Sequence, residues 1–256
     1  MLGNYFYHKR IRTSVAVFGT LFNNIYILKK NSAGDVISQQ KVPLAYAPQA
    51  KFLERIARQS NLDTDSQLAI KLPRMSFEIL AFDYDTTRQL PKTNARLLSN
   101  SDNTKRSKMF APVPYNINFQ LNVIAKNQDD ALQIVEQILP YFNPQYTLTV
   151  KPIEDYPDIK EDCVIKLNGI SFIDDYEGAV ENRRTLIYTL DFTMKINFYG
   201  PVSSANIIRT ANTEIKDYTN NYKIETITVV PDPTSAFPDS DFGFTTTIDL
   251  SYDDSA

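Results

Sequence analysis

The chain has 256 residues, 43% of them hydrophobic and 22% charged, with a formal net charge of −3, the balance of an ordinary globular protein with enough chain to bury a sizeable core. No apolar run approaches the ~18 residues of a membrane span, the single cysteine, Cys163, leaves no internal disulfide, and so small a net charge points to no electrostatic partner. Seven glycines beside fifteen tyrosines and fifteen phenylalanines leave little material for phosphate-cradling loops and favour a β-rich protein that touches other chains.

Met1 to Arg12 carries Lys9, Arg10 and Arg12 beside aromatic residues and lacks the apolar stretch of a secretory signal, which together with one cysteine fits a reducing cytosol. Residues 11–22 place Val15, Phe18 and Phe22 at helical spacing with Leu21 alongside, predicting a short amphipathic helix. Ile25 to Leu28 reads as a strand and Asn31 to Asp35 as a turn. Pro48 stands where a second helix would begin, with Phe52, Leu53, Ile56 and Ala57 on one face and an end near Ser60. From Met75 the pattern is extended. Phe77, Ile79 and Ala81 alternate, then Phe82 and Tyr84 take the opposite phase, which requires a bulge or two covered faces. Residues 86–114 read as a long polar loop closing at Pro112 and Pro114. It holds Arg88, Lys92, Arg96, Lys105, Arg106 and Lys108 against Asp102 alone, a local charge of +5.

The clearest pattern follows. Ile117, Phe119, Leu121, Val123 and Ala125 share one face of a strand, with Asn116, Asn118, Gln120 and Asn122 on the other. Asn127 is placed to cap a helix whose first turn holds Asp129 and Asp130. Its apolar stripe runs from Ala131 through Ile134 and Ile138 to Phe142, and Pro140 and Pro144 stop it. Tyr146 to Val150 resumes a strand, completing a strand–helix–strand unit. Next, Ile165 and Leu167 switch phase to Ile170 and Phe172 across Gly169, the mark of a bulge or bend. Leu186 to Phe198 then alternates almost without a break. Its ~13 residues at ~3.3 Å each span roughly 43 Å, long enough to project beyond a core or join an oligomer contact. After Gly200-Pro201, segments 206–215 and 222–230 read as short strands and Pro231, Pro233 and Pro238 as a linker. The last stretch places Phe242, Phe244, Ile248, Leu250 and Tyr252 on one face, while residues 231–256 hold six aspartates and no Lys or Arg. Such a strand suits addition to an exposed sheet edge, a neighbour's or its own. The pattern predicts a single α+β domain over 1–200, a mixed and mostly antiparallel sheet with two or three helices packed on it, and an extended C-terminal segment over 201–256.

Little here can carry chemistry. His8 is the sole histidine, so no Ser/His/Asp or Cys/His set exists without it, and no GxxxxGK or GxGxxG loop appears. Cys163 reads as a small core residue. Asp83 with Asp85, Asp129 with Asp130 and Asp174 with Asp175 are the material for a metal-dependent nuclease. Each also has a plain local reading as a strand end, a helix first turn or a turn. The basic segment could follow phosphates, but it offers no aromatic side chain for stacking before Phe110 and Tyr115. No catalytic, cofactor-binding or metal-ligating residue is assigned. The candidate interface residues are the six basic ones at 88–108, the far end of the 185–199 strand, and Phe242, Phe244, Ile248, Leu250 and Tyr252.

Two strings, Leu72-Pro73-Arg74-Met75-Ser76-Phe77-Glu78-Ile79 and Asp129 to Pro140, resemble signature stretches of the tail sheath stabiliser (tail terminator) family of contractile-tailed bacteriophages. The order along the chain is similar too: Tyr5-Phe6-Tyr7, Leu21-Phe22-Asn23-Asn24-Ile25, Val42-Pro43, Tyr46-Ala47, Phe52-Leu53, Tyr84-Asp85 and Pro114-Tyr115. The resemblance covers residues 5 to about 200. It implies a structural virion protein without catalytic activity or cofactor, made in the host cytoplasm and forming a homohexameric ring at the head-proximal end of the tail. There it would cap tube and sheath and dock neck proteins, with no membrane contact and with genomic DNA passing through at most transiently. A head-completion or neck connector subunit, a monomeric binding module and the nuclease are the alternatives that residues alone leave open.

Overall fold

The computed structural model describes residues 5–31, 34–58, 72–98, 102–176, 184–219 and 223–250. Helix α1 (Arg10–Phe22) leads into the hairpin β1 (Tyr26–Lys30) and β2 (Val36–Lys41), then strand β3 (Leu44–Tyr46) and helix α2 (Gln49–Arg58). Strands β4 (Arg74–Tyr84), β5 (Ala95–Leu98), β6 (Lys105–Phe110) and β7 (Val113–Ala125) precede helix α3 (Gln128–Ile138). Strands β8 (Gln145–Val150), β9 (Glu161–Tyr176), β10 (Arg184–Phe198), β11 (Ser203–Asn206), β12 (Ala211–Lys216), β13 (Lys223–Asp232) and β14 (Gly243–Leu250) follow. The chain divides into two compact units, one from 7–89 with 113–198 and one from 1–6, 90–112 and 199–256. The α+β class and the mixed, mostly antiparallel sheet are as the sequence predicts.

The first unit is built on one six-stranded sheet, ordered β3-β4-β7-β10-β9-β8, in which only the β3–β4 pair is parallel. Alternation decides its faces. Leu121, Phe119 and Ile117 of β7 and Leu190, Phe192 and Met194 of β10 form a buried layer beneath Phe18 and Phe22 of α1 and Ile134 and Ile138 of α3. Gly19 lets α1 settle onto this layer, since a Cβ there would stand 3.0 Å from Cζ of Phe77. Ile124 faces the other way and meets Phe52 of α2 and Ala47. The hairpin is held by α3: Gln133 accepts from the Leu28 N–H and donates to its carbonyl, and Gln137 donates to the Tyr26 carbonyl. Polar side chains there cover an otherwise unpaired strand edge. Both bulges expected from phase switches are present, between Ile79 and Ala81 in β4 and opposite Asp191 and Phe192 at Gly169 in β9. Asn127 occupies the expected cap position of α3, but its side chain makes no capping hydrogen bond.

The second unit holds two three-stranded sheets, β11-β6-β5 and β12-β13-β14. The segment expected as a loop at 86–114 is therefore corrected. After a 3-10 turn at Thr86–Arg88 it carries β5 and β6, which pair from Ala95 opposite Phe110 to Leu98 opposite Ser107. Its charges alternate with residues that go inside: Ser107, Met109 and Leu98 are buried while Lys105 and Lys108 are exposed.

A second correction concerns the long strand. β10 does not project. It is a central strand, paired with β7 from Leu186 opposite Ala125 to Phe198 opposite Val113, and with β9 along most of its length. Its polar face carries cross-strand hydrogen bonds: Thr189 donates to Asn122 (2.9 Å), Thr193 to Asn118 (3.1 Å), and Gln120 to Asp191 (3.2 Å). The alternation that suggests a projecting strand is that of a sheet centre with one greasy and one hydrogen-bonded face.

Candidate interaction surfaces

Most of the basic cluster turns out to be committed within the chain. Arg88 belongs to the first unit, where its Nε donates to Asp85 Oδ2 at 2.7 Å and its Nη2 to the Tyr115 carbonyl at 3.1 Å. In the second unit Lys105 pairs with Asp102 (3.5 Å) and Arg106 with Asp239 (3.0 Å), while Lys108 lies 5.0 Å from the centroid of Phe110. Lys92 and Arg96 are exposed. Within the second unit the cations do not share one face, since Lys105 lies on the side of β6 opposite Arg106 and Lys108. Arg106, Lys108 and Phe110 share one face of β6, beside exposed Leu97 of β5, a mixed apolar and cationic surface.

The Asp85 network is tight enough to shift its acid. The Thr87 hydroxyl (2.6 Å) and then the Arg88 guanidinium hold the Asp85 carboxyl well below the ordinary carboxylate range. A carboxyl with a depressed folded value stabilises the fold above its unfolded pKa of about 3.9 and loses that contribution as pH falls below it. Asp85→Asn is expected to lower the urea midpoint at pH 7, and its deficit against the parent chain to shrink steadily from about pH 5 to pH 2. A deficit independent of pH would refute this account.

The described acids of these pairs are spoken for or stand apart. Asp83 accepts from Asn118 at 2.6 Å, Asp85 is held as above, and Asp129 accepts from Gln133 at 2.8 Å. Among the described residues no three His, Cys, Asp or Glu side chains come together in a metal-binding group. Cys163 is buried, and its thiol is pushed up to about 11 by burial and the nearby Glu161 carboxylate, so it remains protonated and unreactive. An open groove of about 830 Å3 runs between α1 and β8, lined by Arg12, Thr13, Val17, Tyr146 and Leu148 among others. The acid–base pair at its end, Lys9 and Glu154, is already joined at 3.2 Å.

The terminal strand pairs with its own chain. β14 runs against β13 from Gly243 opposite Asp232 to Leu250 opposite Glu225, and this makes it the outer strand of its sheet. Phe244, Ile248 and Leu250 are 70, 58 and 71% exposed. The Phe242 ring is half-buried and meets Phe244 edge-on at 5.5 Å. Tyr252 lies outside the described residues.

Two features escaped the sequence reading. Arg209 donates through Nη1 to the carbonyls of Asn103 (2.6 Å) and Ala236 (2.8 Å), and through Nη2 to Thr234. One guanidinium so ties the 102–104 turn to the segment before β14, and nothing in Ile207-Ile208-Arg209 signals it. The second is the outer edge of β9. β8 pairs only as far as Gln145 opposite Lys166; beyond it, among the described residues, no strand pairs with β9 on that side.

Residues 5–254 match the model of the T4-like virus Myoviridae tail sheath stabiliser family, so the likeness extends past residue 200 to the terminal strand. The chain is also 29% identical over 216 residues to the tail completion protein gp15 of Enterobacteria phage T4, covering 82% of this chain and 78% of that protein.

Proposed function

The chain belongs to the tail sheath stabiliser family of T4-like myoviruses, and from that premise we propose that it closes into a hexameric ring at the head-proximal end of a contractile tail. A tail sheath stabiliser is a structural component of the virion tail and associates with sheath and tube. In the finer reading, the ring caps both cylinders, ends their growth and presents a docking surface to the neck proteins that join tail to head. Its interface residues are then Arg96, Lys92 and Lys108 beside Phe110, and the exposed face of β14. Its work is geometric and involves no catalysis.

The observation that carries this reading is the family match over 5–254. The molecule supports it in kind. Asp83, Asp85 and Asp129 are held by internal hydrogen bonds and Cys163 is buried, while strand edges and apolar faces stay exposed. A ring of identical subunits needs one heterologous contact repeated around a closed axis, so that two different surfaces of the same chain complement each other. Electron microscopy of tails assembled without the protein tests the proposal. Sheaths or tubes of uncontrolled length, or tails that fail to join heads, are expected. Normal tails joined to heads would refute it.

A further inference from the structure

Among the described residues, two long strand edges carry no proline and at most one charge, the side chains that proteins place on open edges. The first is the distal half of β9, Leu167-Asn168-Gly169-Ile170-Ser171-Phe172-Ile173, beyond the end of β8. It contains no proline and no charge, and Ile170, Phe172 and Ile173 are 41, 46 and 52% exposed. The second is the outer edge of β14, Gly243 to Leu250, with Asp249 as its one charge. The other edges are shorter or protected. β3, β5 and β11 have only a few residues, β8 lies between Pro144 and Pro152, and β12 carries Glu214 and Lys216. A long, uncharged, apolar edge is a template for pairing with another chain.

We propose that the outer edge of β14 in one copy pairs antiparallel with the distal edge of β9 in the next, so that each copy gives one edge and receives the other. Length agrees, with seven residues of β9 facing seven of β14 over roughly 23 Å. Charge chooses the direction. Run parallel over the same stretch, the strands place Asp249 opposite Ile173, one residue from Asp174; run antiparallel, they place it opposite Leu167, one residue from Lys166, and an acid is favoured at the end nearer the lysine. Side chains choose the register. Setting Phe244 opposite Phe172 and Thr246 opposite Ile170 continues the row that already joins Phe172 to Tyr188, whose rings lie 4.6 Å apart. It also sets Thr245 opposite Ser171 and brings Asp249 opposite Leu167, the residue of β9 next to Lys166, which β8 pairs. The two edges differ, so the contact is heterologous and repeats around a ring. Only the number of copies rests on the proposed function; the pairing does not.

Cysteine trapping tests this on the full chain, free or on purified tails. Directly opposed positions in an antiparallel pair lie within disulfide reach. A mixture of Ser171→Cys and Thr245→Cys chains is expected to give a disulfide-linked dimer under mild oxidation, whereas Ser171→Cys with Thr213→Cys, on β12, gives none. The double variant is expected to give a ladder of linked multimers. Ile173→Lys or Ile170→Lys, exposed positions whose folding is checked by circular dichroism, is expected to cut linkage at least tenfold. No linkage in the mixture, linkage within single chains of the double variant, or indifference to both lysines would overturn the pairing. Six-fold rings on tails without linkage leave the tail-cap reading standing and remove this contact. Linkage in assemblies that never sit on tails does the reverse.

Discussion

Phe18→Ala is expected to destabilise the helix–sheet unit by about 3–5 kcal/mol, the range for deleting a fully buried aromatic ring. Phe18 is wholly inaccessible to solvent. Its ring stacks on Phe119 at 4.3 Å and 9°, and lies 4.9 Å from Phe22, 5.3 Å from Phe77 and 5.4 Å from Phe192. It therefore touches β4, β7 and β10 together. Neighbours on three strands of a sheet held by backbone ladders cannot close into the void, so the cavity persists and the cost falls toward the upper end of the range. Hydrogen exchange of the β7 and β10 amides reads the result. At 1.4 kcal/mol per decade the loss corresponds to opening roughly 10²–10⁴ times more frequent. Protection unchanged within tenfold would show that α1 is peripheral to this core.

The helix that carries Phe18 was visible in the sequence because its apolar residues recur at helical spacing. So were β7, α3 and both bulges, each marked by a period or a phase change in adjacent residues. What the sequence hid is partnership. The alternation of β10 reveals a strand with one apolar face, yet the same pattern serves an edge or a centre. Asn116 to Asn122 on β7 and Thr189 to Lys195 on β10 become legible as a pair only when the register is known. β5 and β6 were missed for another reason. Each is short, their charges sit outward at alternate positions, and the third strand of their sheet, β11, arrives almost a hundred residues later. The candidate surfaces divide likewise. The exposed row of β14 was readable from alternation, whereas the commitment of Arg88, Lys105 and Arg106 depends on acids from Asp85 to Asp239, and the open half of β9 depends on where β8 ends.

Arg10 shows how far local signals can mislead. At the start of α1 a cation opposes the helix dipole, and nothing beside Lys9 and Arg12 in the sequence marks Arg10 as buried. Instead it is 5% exposed, its Nη2 meets Glu161 Oε2 at 2.5 Å, and its Nε donates to the Asn197 carbonyl at 3.2 Å. Glu161 Oε1 in turn accepts from the Asn197 N–H at 2.8 Å. The first turn of α1 is so pinned to β9 and to the end of β10 by one buried pair. Lys9, at φ 54 in the left-handed region, turns the chain into it. Removing either partner leaves the other charge in a low-dielectric site, and Arg10→Ala or Glu161→Ala is expected to cost about 3–5 kcal/mol. Replacing both together by Met and Leu removes the desolvation problem with the attraction, so the double variant is expected to be more stable than either single one. Cys163 supplies the reporter. Its buried, protonated thiol, two residues from Glu161, is labelled only when this part of the sheet opens. Alkylation is expected to accelerate by two decades or more in each single variant and to return toward the parent rate in the double. If the double variant labels as fast as the singles, Arg10 and Glu161 contribute as packing and not as a charge pair.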